Sequence, residues 1–188
     1  MKKLLLLTSF LFVSVIGLNA QNDFRDMNWH ESPETLMEKY SEVDFLKETE
    51  SGMTAYSHVD YVSGIETRIS FCFINDLFVA GFYQFTPERS RYDAKDFVKD
   101  FDNISVRLQS KYEMARNDVW YKDNINVDLM GIDFYLLTGD VDLEEVGFDE
   151  GKLISHSLRN SEGSIKHILM YASSEFVKKI ENSVENEF

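Results

Sequence analysis

The chain has 188 residues, 33 of them acidic and 19 basic, for a formal charge of −14 at neutral pH. Such a surface repels phosphate backbones and anionic lipid, which argues against binding to nucleic acid or to a membrane surface. A single cysteine, Cys72, leaves no intrachain disulfide to support the fold.

The first twenty residues read as an export signal. Lys2 and Lys3 precede the apolar run Leu4–Gly17, and Ala20 is the small residue expected at the cut site. The run is short for a bilayer span and no charged stop-transfer cluster follows it. The mature chain is therefore expected to be residues 21–188, a single domain with no membrane anchor, exported to the periplasm or beyond. Attachment to lipid needs a cysteine at the cut site, and Cys72 is far from it, so the product is not expected to be a lipoprotein. Losing Lys2 and Lys3 takes the formal charge from −14 to −16.

Ser32-Pro33-Glu34 is a helix start, with a capping hydroxyl, a proline at the first position and an acid at the positive end of the dipole. That helix is expected to reach Tyr40, with Trp29 packing it onto a sheet. Strands are expected over Ala55–Tyr61, Ile65–Phe73 and Leu77–Phe85, turning at Ser63-Gly64 and Asn75-Asp76. A two-residue second turn would set Phe73 opposite Phe78, Phe71 opposite Ala80 and Ile69 opposite Phe82. Cys72, between Phe71 and Phe73, reads as a buried, inert thiol.

The longest helix is expected from Asp93 to Arg116. Its stripe of Phe97, Phe101, Ile104, Leu108 and Tyr112 is expected to lie across Phe71 and Phe73. Val127–Thr138 reads as a strand and the acidic stretch Asp140–Glu150 as a loop. Lys152–Arg159 and Ser164–Ala172 form a hairpin around a four-residue turn, Asn160–Gly163. A closing helix starts at Ser174, with Phe176, Val177, Ile180 and Val184 facing inward. The expected fold is α+β: an antiparallel sheet with helices packed on one face, in the order α-βββ-α-βββ-α, a diverged duplication.

Little chemistry is legible. The last hairpin would set His156 opposite His167, a beginning for a metal site, but no third ligand stands at a recognisable spacing. Asp140, Asp142 and Glu144 mimic the first places of a calcium loop, whose required glycine and final glutamate are replaced by Glu145 and Gly151; only an irregular, weak site would remain. There is no Gly-x-Ser-x-Gly and no glycine-rich phosphate cradle. No catalytic, cofactor-binding or metal residue is assigned, and no cofactor is expected.

Residues Phe24-Arg25-Asp26-Met27-Asn28-Trp29-His30-Glu31-Ser32 resemble the start of a group of exported bacterial proteins that opens Phe-Arg-x-x-x-Trp-Gly-x-Ser. Ile69–Leu77 and Leu108–Tyr112 resemble that group too, while His30 and Glu113 stand where it has glycine. The resemblance implies no activity. The layout also resembles, more distantly, the helix-plus-sheet repeats of β-lactamase inhibitor proteins and of small outer-membrane assembly lipoproteins, which implies binding. The expected role is thus a non-enzymatic binding or interaction module of the cell envelope, its partner an envelope protein or a surface polymer. An exposed aromatic patch drawn from Phe78, Tyr83 and Phe85, on the sheet face away from the helices, is expected with it. The alternative is a small hydrolase of cell-wall or polysaccharide material with paired carboxylates.

Expressed in a bacterial host, the protein should be recovered from the periplasm or medium with Gln21 as its first residue, as read by intact mass. Cytoplasmic product retaining Met1 would overturn the export reading.

Overall fold

A computed structural model describes residues 23–48, 52–86, 93–123 and 125–185, so the expected signal lies outside the described residues. Much of the sheet follows from four two-residue turns, Ser63-Gly64, Asn75-Asp76, Glu150-Gly151 and Glu162-Gly163, in each of which both residues take positive φ. Such turns twist in the same sense as the strands they join and so reverse the chain tightly. They connect β2 (Met53–Val62) to β3 (Ile65–Ile74), β3 to β4 (Leu77–Phe85), β7 (Val141–Asp149) to β8 (Lys152–Ser161), and β8 to β9 (Ser164–Ser173).

The remaining strands are β1 (Asp44–Glu48) and two short ones, β5 (Met114–Arg116) and β6 (Val119–Trp120). All pair antiparallel in the order β1-β2-β3-β4-β9-β8-β7-β5, with β6 also on β7. The join between the early and late strands is β4 against β9, where Gly81 faces Tyr171. The helices are α1 (Pro33–Lys39), α2 (Ala94–Gln109), α3 (Val127–Met130), α4 (Ile132–Thr138) and α5 (Ser174–Glu185). Among the described residues, no helix is long and apolar enough to cross a membrane.

Pleating sends alternate side chains to opposite faces. One face carries Ile69, Phe71, Phe73 and Phe78 under Phe24, Met27 and Leu36 of the N-terminal loop and α1. The same face continues through Leu143 and Leu158 under Phe97 and Phe101 of α2 and Leu136 of α4. The other face carries Cys72, Ala80 and Ala172 under Phe176 of α5. The helices therefore occupy both faces, not one, because the chain turns into α5 immediately after β9 with Phe176 aimed at Phe82. Burial pushes the Cys72 thiol up to about 12, which leaves it unreactive.

Several expectations need correction. The element order α-βββ-α-βββ-α is not observed: β1, β5 and β6 are additional strands, and α3 and α4 intervene before the last three. Val127–Thr138 forms two helices, and Asp140–Glu150 contains a strand, β7. The long helix is capped by Asp93, in a capping box with Asp96, but stops at Gln109, so that Met114 can pair with Gly147. Its stripe covers the late strands, because the N-terminal loop already occupies Phe71 and Phe73. Trp29 lies 5.0 Å from Phe78, packing the chain ahead of α1 onto the sheet as expected. The closing helix starts at Ser174 as expected, with Phe176 buried; the side chains of Ile180 and Val184 lie outside the described ones.

The β3–β4 register begins as expected, with Phe73 opposite Phe78, then slips at a bulge. Phe71 faces Gly81 rather than Ala80, and Ile69 faces Tyr83 rather than Phe82. The slip exchanges the two faces of β4 beyond Val79 and brings Gly81 beneath the Phe24 ring, where a Cβ would lie 2.3 Å from ring carbons. Gly81→Ala should therefore destabilise the protein by about 1–3 kcal/mol through overpacking, read from the midpoint of denaturant unfolding. An unchanged midpoint would mean that Phe24 does not rest on this strand.

Candidate functional site

The histidines singled out by sequence do meet, by a different register. Because the last turn has two residues, His156 faces Leu169 and Leu158 faces His167. The two rings are diagonal neighbours on one face, with their Nε2 atoms 2.9 Å apart. Glu145 of β7, absent from the sequence-based candidates, joins them: its Oε2 lies 3.6 Å from His156 Nδ1. Gln109 donates to the other Glu145 oxygen at 3.1 Å, and Phe101 stacks on His156 at 4.1 Å. Glu145 and His156 are wholly buried and His167 nearly so.

This is a chain of groups and not a pocket. Glu145 and His167 sit at opposite nitrogens of the same ring, so the three cannot converge on an ion. Among the described residues no group of three or more His, Cys, Asp or Glu is placed to hold a metal. The carboxylate favours the His156 tautomer with its proton on Nδ1, leaving Nε2 to accept from His167.

The acidic stretch is likewise dispersed by the strand. Asp140 accepts from Lys122 and Thr138. Asp142 and Glu144 alternate to the face opposite Glu145 and line an open hollow with Arg159. In this stretch, carboxylates of contrasting environment do not share a cleft: buried Glu145 is on one face, Asp142 and Glu144 on the other.

Nor do Phe78, Tyr83 and Phe85 form the expected exposed patch, since the bulge turns Tyr83 and Phe85 with Phe78 toward the helices, and Phe78 and Phe85 are buried. Exposed apolar surface concentrates on β6, α3 and α4. Of thirteen large exposed hydrophobics among the described residues, seven fall between Trp120 and Leu137, too many for scattered surface residues. In α4, Tyr135 and Leu136 point into the core, while Phe134 and Leu137 point out. In α3 no residue is buried, and Leu129 is 76% exposed. The Trp120 ring lies 6.1 Å from Tyr135, which is 5.4 Å from Phe134, so strand and helix contribute to one surface.

Polar ties hold this surface in place. Asn126 caps α3 by accepting from Leu129 N–H, and its own N–H donates to the Tyr135 hydroxyl at 2.9 Å. Gly139, at φ 70°, ends α4 in the left-handed conformation that glycine adopts without strain. Tyr121 N–H donates to the Asp140 carbonyl and its hydroxyl to Asp142. Asn160 donates to the Leu137 carbonyl. The charged residues within the segment are mostly acidic: Asp123, Asp128 and Asp133, with Lys122 engaged by Asp140.

No protein family, curated protein or solved structure matches this chain.

The buried chain of groups makes stability pH-dependent. Burial holds both histidines below their ordinary value of 6.5. Burial pushes the Glu145 carboxyl up, but His156 and Ser105 beside it outweigh that, and the net shift is down. Each group therefore takes up its proton in the unfolded chain at higher pH than in the folded one. Stability should be level above about pH 7 and fall below 6.5, by up to about 1.4 kcal/mol per pH unit for each histidine. Glu145 steepens the loss under stronger acid. His167→Gln, which can still donate to His156 but does not titrate, should reduce the slope between pH 6.5 and 5 in thermal unfolding. An unaltered slope would place the acid sensitivity elsewhere.

Proposed function

We propose that the chain is an exported, non-catalytic interaction domain of the cell envelope, which binds a partner protein through the surface formed by β6, α3 and α4. The observation that carries this reading is the concentration of exposed apolar side chains in residues 120–137, held in place by hydrogen bonds rather than left as a loose loop. Apolar surface that is both clustered and fixed is what an interface core requires.

The charges describe the partner. Asp123, Asp128 and Asp133 flank the apolar residues on a chain that is acidic throughout, so a partner offering apolar anchors flanked by lysine or arginine is favoured, and another copy of this chain is disfavoured. Membership of the exported group that opens Phe-Arg-x-x-x-Trp-Gly-x-Ser belongs to the same proposal, as does release into the periplasm or medium.

A photo-crosslinking residue placed at Leu129 or Leu137 in the exporting cell should yield a discrete adduct that is missing when the same residue replaces Val106. Val106 is 68% exposed on α2 and serves as the apolar control. Adducts of the same mass and yield at all three positions, or none at the first two, would remove this surface from the function.

A further inference from the structure

We infer that the seam between the N-terminal loop and α2 is a second binding site, for an organic anion: a carboxylate, sulfate or phosphate group on a body the size of a single ring. The helix-bearing face is covered from two directions. Phe24 and α1 lie over the early strands, and α2 with α4 over the late ones. Between them, above the β4–β9 join, Tyr83 and Tyr171 form the floor of two adjoining hollows of about 240 and 270 Å³. Together the hollows fall within the ~300–1,000 Å³ range of small-molecule sites.

The two hollows differ in character. The inner one is bounded by Phe85, Ile104, Leu108 and Leu169, with Arg107 and Lys111 also lining it, and suits an apolar ring beside an anion. The outer one is bounded by Arg25, Lys111 and Lys152. Tyr83, Lys111 and Tyr171 belong to both. Across the pair, the charged lining residues are four basic and one acidic, Asp23, in a chain where acids outnumber bases 33 to 19. The lining is thus basic in a chain that is acidic overall, and the cations in it that lack a carboxylate partner attract an anion.

The basic residues come from separate elements, so no single local rule explains them. Arg107 and Lys111 suit the negative end of the α2 dipole, but Arg25 stands in the N-terminal loop and Lys152 at the start of β8. Arg25 has φ 52°, a costly conformation for a residue with a Cβ, and its guanidinium lies 5.6 Å above the Tyr83 ring. Arg25 and Lys152 are partly neutralised by Asp60 at 3.2 Å and Asp23 at 3.7 Å. Arg107 donates to the Ser63 hydroxyl, and neither it nor Lys111 has a carboxylate partner among the described residues. These two free cations are the ones an arriving anion would meet. Asp149 acts on Tyr112 and Asp26 on Tyr83 from nearby, but neither lines a hollow.

Calorimetric titration of the purified protein with benzoate, phenyl sulfate and phenyl phosphate, beside acetate, inorganic phosphate and benzyl alcohol, tests the site. At least one ring-bearing anion should bind saturably, and which one does distinguishes the carboxylate, sulfate and phosphate forms. Arg107→Glu with Lys111→Glu should weaken that binding about tenfold or more. Both positions are exposed, so the fold should survive with a lower melting temperature from the lost dipole and Ser63 contacts, and Arg107→Ala with Lys111→Ala should show an intermediate loss of binding. Equal binding of acetate or inorganic phosphate would overturn the ring-sized body. Equal binding of benzyl alcohol would overturn the anion, and no saturable binding of any probe would overturn the site.

Discussion

The position of Phe24 on Gly81 is the contact on which the arrangement of the helix-bearing face depends. It needs a residue without a Cβ at the centre of the sheet, and the bulge in β4 puts one there. Seated on that strand, the Phe24 ring meets Phe71, Phe78, Tyr83 and Tyr171, and so links the early strands to the late ones. With the N-terminal loop and α1 occupying this half, α2 is left to cover β7–β9, and a seam remains between the two covers. Both the split core and the basic groove follow from one close approach.

On the late strands the governing constraint is the burial of polar groups. Glu145, His156 and His167 lie where neighbouring strands carry Leu143, Ile154, Leu158 and Leu169. Polar groups in such a place are tolerated when each finds a partner. Here one carboxylate oxygen takes Gln109 and His156 Nε2 takes His167, under a roof of Phe101 whose ring also receives Arg116 at 5.5 Å, while Glu145 Oε2 and His156 Nδ1 face each other at 3.6 Å, an electrostatic contact longer than a hydrogen bond. This arrangement fixes the register of three strands against α2 and makes the interior sensitive to acid. Its side chains are closed off from solvent, and the surfaces proposed for binding lie elsewhere.

Two such surfaces stand out, with opposite chemistry. One is apolar with acidic flanks and lies at the sheet edge formed by β6 and the short helices beside it. The other is basic with an aromatic floor and lies over the middle of the sheet. Among the described residues the hollows have one acidic lining residue, Asp23, short of the pair that glycoside hydrolysis requires.

The sequence by itself determined the elements governed by local rules. Ser32 and Asp93 cap their helices because a side-chain oxygen next to free N–H groups is a short-range matter. Ser63-Gly64 and Asn75-Asp76 turn where expected because the residues suited to positive φ are at hand. Glu150-Gly151 is not legible as a turn, since glutamate gives no turn signal, and neither is the strand β7 that leads into it. Val127–Thr138 reads as a strand because a short apolar run has no decisive period; the caps at Asn126 and Gly139 are what make it helical. The tertiary structure alone decided the bulge at Val79, the transfer of α5 to the second face, the meeting of Glu145 with the histidines, and the convergence of Arg25, Arg107, Lys111 and Lys152. Each of these depends on which residues become neighbours after distant strands pair, and no window of adjacent sequence carries that information.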